Sequence, residues 1–157
     1  MNAQISHIEI DDSGLPTPTP EIEQERNVAI FDLLEDNSFH LEHPDAPTGP
    51  YRLGLGIKER RLVFDITTEG HQQAGQIILG LGPFRQVVKD YFQICESYFD
   101  AVKKLPPSQI EAIDMARRGI HNEGARTLQE RLEGKAKLDI DTARRLFTLI
   151  CVLHFGG

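Results

Sequence analysis

Apolar and polar residues alternate in three consecutive stretches between residues 51 and 81. Tyr51, Leu53, Leu55 and Ile57 share one parity in the first, Leu62, Phe64 and Ile66 in the second, and Ile77, Leu79 and Leu81 in the third. A period of two places each set on one face of a strand. The links "KERR" and "TEGHQQ" are short enough for hairpins, so the pattern predicts a mostly antiparallel sheet with one face to be covered. Residues 4–10, "QISHIEI", read as a further strand whose isoleucines are not in perfect phase. Phe39 and Leu41 read as a short strand before the turn "HPDAPTGP".

Elsewhere the period lengthens to that of helices. Behind the breaker "DDSGLPTPTP", Thr19 is placed to cap a helix and Pro20 to open it. Glu21 and Glu23 suit its positive end. The helix is expected to reach about Glu35 and to bury Ile22, Val28 or Ala29, Phe31 and Leu34. Gly82-Pro83 starts a longer one, to about Lys104, with Phe84, Val88, Tyr91, Phe92, Cys95, Tyr98, Phe99 and Val102 along its apolar side. "LPP" ends it. Ser108 and Glu111 then have capping-box spacing for a helix running towards Leu132, which "LEGKAK" breaks. Asp139 or Asp141 caps a final helix through "TARRLFTLICVLHF". That segment is apolar nearly all round, which predicts either a central place or packing against a partner. The elements predict an α+β fold: an antiparallel sheet of four or five strands packed by three or four helices, with a helix-rich C-terminal half. One domain over residues 1–157 fits the length, with residues 1–3 and the 11–19 and 43–50 loops expected to be the more mobile parts.

Charge narrows the partners. The net charge is -7, and residues 1–50 hold Arg26 alone against eleven acidic residues. Arg60–Arg61 and Arg144–Arg145 are too short to make a cationic footprint, so no nucleic-acid partner is expected. The start has neither a basic leader nor an apolar signal core, and Leu146–Phe155 is about half a membrane span. A cytoplasmic protein without a membrane partner is expected. Cys95 and Cys151 fall among large apolar residues and read as reduced, buried thiols.

Candidate chemistry concentrates in "DMARRGIHNEGA", residues 114–125, where a helix accepts two glycines beside an arginine and a histidine. At about 100° per residue, Arg117 and Gly124 fall inside the apolar stripe, with His121 and Asp114 at its edge. An arginine turned inward must be paired, because burying an isolated charge is prohibitive. One reading pairs it with a protein carboxylate, Asp90 being a geometric candidate, and puts Gly124 at a close helix crossing. The other gives Arg117 the carboxylate or phosphate of a ligand, with Gly124 leaving it room. His121 is then the acid–base candidate and Asp114 the residue that orients it.

Weaker groupings are Glu96 with Asp100, His40 and His43 with Glu42, the helix-opening amides behind "GLGPFR", and the terminal Gly156-Gly157. None reaches a full catalytic, phosphate-loop or metal spacing, and no cofactor or metal is expected.

The segments "PTPEIEQERNVAIFDLLEDNSF", "RLVFDI", "PFRQVVKDYFQICESYFDAVKKLPPSQIEAIDMARRGIHNEGA", "QERLEGK" and "DTARRLFTLICVLHF" occur in order. Together they resemble an uncharacterised protein family of alphaproteobacteria, uncharacterised protein family number 0262, over roughly residues 16–155. The resemblance implies a bacterial, soluble, single-domain protein and carries no activity, substrate or cofactor with it. The expected role is an interaction or regulatory protein without its own catalysis, working through a protein partner or a homodimer at Leu146–Phe155. The alternative is a small-molecule enzyme or sensor that binds a phosphorylated or carboxylated ligand at Arg117 and His121.

Overall fold

A computed structural model describes residues 3–153 apart from Gly14 and Pro16. The three alternating stretches form β3 (Tyr51–Lys58), β4 (Arg61–Thr68) and β5 (Gln73–Gly80), joined as antiparallel hairpins. Their expected inward residues, from Tyr51 to Leu79, are buried, with Ile57 at the end only partly so. The first strand, β1 (Ile5–Ile10), pairs with β3 in parallel, giving the order β1-β3-β4-β5. A parallel neighbour needs a crossover rather than a turn. Helix α1 (Pro20–Glu35) lies within that crossover. A second, two-stranded sheet pairs β2 (Phe39–Leu41) with β6 (Ala136–Leu138). The strand β6 overlaps the end of the segment read only as a helix breaker, and at three residues it is too short to show a period.

Thr19 caps α1 as expected, its Oγ1 accepting from the Ile22 amide at 3.3 Å. The buried face is a different one. Ala29 and Leu33 point inward, whereas Val28, Phe31 and Leu34 are 50%, 65% and 41% exposed. Apolar residues surround the second half of this helix, so the sequence holds no strong stripe from which to select the inner face.

The long helices are α2 (Gly82–Lys104) and α3 (Pro107–Arg131). No side chain caps α3: Pro106 is the cap residue and Pro107 opens the helix, so the Ser108 capping box does not form. Proline suits that position because its missing N–H would have no helical partner there. Val102 on α2 is exposed, and Ala101 takes its expected inward place.

Helix α4 (Ile140–Leu153) starts at Asp139, whose Oδ1 accepts from the Thr142 amide at 3.0 Å. Every residue from Leu146 to Leu153 is buried by the chain's own elements, α4 packing on both α1 and α3. The apolar run is therefore covered within the chain over its described length. Phe155 lies outside the described residues. Cys95 and Cys151 are buried and unpaired, and burial pushes the Cys95 thiol up to about 11. No described helix is long and apolar enough to cross a membrane.

Candidate functional site

Helices α1, α3 and α4 leave a cleft of about 510 Å³ between them, with Tyr91 of α2 at its back. Arg117 of α3 reaches it half-buried. Its Nε and Nη2 both donate to Asp114 Oδ1, at 3.1 and 2.7 Å, and its Nη1 lies 3.7 Å from Glu25 Oε1 on α1. The guanidinium also sits 4.5 Å from the centre of the Tyr98 ring, within cation–π range. Arg118 holds the other Asp114 oxygen at 3.2 Å. The protein partners of Arg117 are thus Asp114 and Glu25, not Asp90, whose carboxylate accepts from Gln86 on the same helix. The hydrogen bond from Arg117 keeps the Asp114 carboxyl below its ordinary value. Desolvation raises that of Glu25, and the Arg117 charge opposes the rise.

His121 stands one turn further along α3. The Thr148 hydroxyl donates to the Arg144 carbonyl at 3.3 Å, and His121 Nε2 shares a hydrogen bond with Thr148 Oγ1 at 2.7 Å. The imidazole packs against Tyr91 and Phe147, with ring centres 5.3 and 5.6 Å away. Burial above all, then the charges of Arg144 and Arg117, push its pKa down to about 4. It is neutral at pH 7. The Asp114 carboxylate, expected to orient the ring, is engaged instead by two arginines.

The two glycines of the motif differ. Gly124 is buried, and a Cβ built on it would overlap the ring of Phe147 from α4. It serves the close helix crossing and does not line the cleft, so the expected ligand room at Gly124 is filled by a phenyl ring. Gly119 is exposed, with nothing within 4 Å of an added Cβ. Gly119→Ala should therefore stabilise the protein by about 0.5–1 kcal/mol through helix propensity alone. Urea unfolding of the two proteins measures it, and a loss of stability would mean that Gly119 is needed for something the packing does not show.

Sequence reasoning missed the other half of the cleft. Arg144 and Arg145 follow each other in the first turns of α4 and both line it. Arg144 lies 3.5 Å from Asp141, and Arg145 Nη1 donates to the Asp36 carbonyl at 3.3 Å. The only sequence signal was a basic pair on the wet edge of an otherwise apolar helix. Glu25, Tyr91 and Thr148 gave none, because each reached the site through tertiary packing.

The weaker groupings remain ordinary. Glu96 and Asp100 are exposed on α2. The amides of Phe84 and Arg85 both donate to the Leu81 carbonyl, which occupies the helix opening behind "GLGPFR". Among the described residues, no three His, Cys, Asp or Glu side chains gather closely enough to hold a metal ion, His40, Glu42 and His43 included. Gly156-Gly157 lies outside the described residues.

The profile of an uncharacterised protein family, UPF0262, matches residues 2–156. A UPF0262 protein of Jannaschia sp. (strain CCS1) is 78% identical over 153 residues, covering 98% of each chain. One from Roseobacter denitrificans is 75% identical over 158 residues, covering 99% of each. One from Ruegeria pomeroyi is 73% identical, covering 99% of this chain and 98% of its own. No solved structure matches the chain. The sequence match runs through every described element, and the chain belongs to UPF0262, an uncharacterised alphaproteobacterial family.

Proposed function

We propose that this protein is a cytoplasmic regulatory or interaction protein without catalysis of its own, and that its helical cleft senses an anionic small molecule, phosphorylated or carboxylated. The observation that carries this reading is the meeting of four guanidinium groups, Arg117, Arg118, Arg144 and Arg145, round one opening. Asp114 already holds Arg117 and Arg118. Among the described residues, Arg145 has a backbone carbonyl as its partner and Arg144 only a loose, exposed pair with Asp141. Those two keep donors for a ligand, and a planar guanidinium fork matches both carboxylate and phosphate. Glu25, whose ionised form is disfavoured by burial, is the group an incoming anion displaces from Arg117.

The enzyme alternative gives His121 the acid–base role. A pKa of about 4 is far from the neutral range in which histidine transfers protons best, so the imidazole is better suited to hydrogen bonding than to proton shuttling. The cytoplasmic placement is supported by two buried thiols that form no disulfide.

A thermal-shift series with inorganic phosphate, pyrophosphate and citrate tests the reading. A ligand at 100 times its Kd adds about 2.7 kcal/mol of apparent stability. The expected result is a saturable shift with at least one of these anions that the Arg144→Gln/Arg145→Gln variant loses. Both arginines are partly exposed, so the variant should fold. No shift with any anion, or an equal shift in the variant, would contradict the proposal.

A further inference from the structure

We propose that the solvent face of α1 docks a basic amphipathic helix belonging to another protein. Val28, Phe31 and Leu34 recur at three-residue spacing and form an exposed apolar stripe, with Phe31 about 160° round the helix from the buried Ala29. A shallow, open depression between side chains of α1 itself runs beside Phe31 and Val28 towards Pro20. Isolated exposed apolar residues are normal, whereas a stripe along one helix face is the pattern of anchors with which amphipathic helices pair.

The charge round the stripe identifies the partner. Residues 20–35 hold five acidic residues and one arginine, Arg26, which Asp12 takes at 2.8 Å. Glu21, Glu23, Asp32, Glu35 and Asp36 have no ion-pair partner among the described residues. A second copy of this chain would bring the same acids against them, and like charges across an interface repel. A helix with leucine-type anchors and flanking lysines or arginines satisfies both the stripe and its rim. Phe31 and Leu34 do not line the arginine cleft, whereas Val28 and Asp32 do, so Phe31→Ser and Arg144→Gln/Arg145→Gln are the variants that tell this proposal from the anion reading on which it does not rest.

The test uses the full chain and two synthetic helices, one of leucine and lysine and one of leucine and glutamate, with leucines at the i, i+3, i+4 and i+7 positions. Fluorescence anisotropy should show saturable binding of the lysine helix only. Phe31→Ser should weaken it about tenfold, the effect expected of an aromatic anchor. Glu23→Lys should weaken it as well, and Arg144→Gln/Arg145→Gln should leave it unchanged. Since Phe31 is exposed, an unaltered melting curve will show that its variant is folded. Failure of the lysine helix to bind, equal binding of both helices, or full binding by Phe31→Ser overturns the proposal. So does a wild-type dimer in sedimentation that Phe31→Ser dissociates, which would give the stripe to a second copy.

Discussion

Gly124→Ala is expected to destabilise the protein by about 2–3 kcal/mol, even though alanine is the better helix former. The new methyl group would fall on three atoms of the Phe147 ring. That ring is fully buried and held edge-on by Tyr91 at 5.9 Å and by His121 at 5.6 Å, so it has nowhere to swing. The strain of overpacking exceeds the propensity gain of about 1 kcal/mol. For a chain of this size the melting temperature should fall by roughly 5–10 °C. Shortening the ring restores room, so Gly124→Ala in a Phe147→Leu background should cost much less than it does alone. That non-additivity is the signature of direct contact. Equal costs in the two backgrounds would remove the crossing as the reason for the glycine.

Asn37→Ala is expected to cost about 3 kcal/mol by leaving buried backbone groups without partners. Asn37 is 8% exposed and sits just beyond α1. Its Oδ1 accepts from the Ile5 amide at 2.7 Å, and its Nδ2 donates to the carbonyls of Ile5 at 2.9 Å and Leu33 at 2.7 Å. One side chain thus ties the end of the crossover helix to the edge strand β1. Asn37→Asp keeps the acceptor, loses both donors and turns a carboxylate towards two carbonyls. It should be no better than alanine in urea unfolding. An aspartate as stable as the wild type would show that the two donated bonds contribute little.

These two residues mark how far the sequence could be read. The hairpins β3–β4–β5 were legible because their faces are one-sided: a period of two, with the apolar parity inward, has a single solution. The starts of α1 and α4 were legible for a local reason, since Thr19 and Asp139 act on amides three residues away. The buried face of α1 was not, because Val28, Phe31 and Leu34 compete with Ala29 and Leu33 and only the tertiary contacts decide between them. Asn37 gave no signal at all: its partners are a residue 32 positions away and the end of its own helix.

In the candidate site, Arg117 was legible as a paired cation, and Gly124 was legible as a helix crossing under one of its two readings. The identity of the pairing carboxylates was not. Asp114 is a neighbour on the same helix, but Glu25 comes from a helix some ninety residues earlier. Arg144 and Arg145 could be seen as charges but not as part of one opening with Arg117, because that depends on how α3 and α4 cross.

The central claim, an anion site formed by that crossing, is tested most directly by NMR of the arginine Nε–H and histidine side-chain signals while inorganic pyrophosphate or citrate is titrated in. The account predicts saturable shifts at Arg144 and Arg145, a change at Arg117 as Glu25 is displaced, and a His121 ring that stays neutral. Signals that remain still throughout, or that move only at arginines outside the cleft such as Arg60 and Arg61, would contradict it.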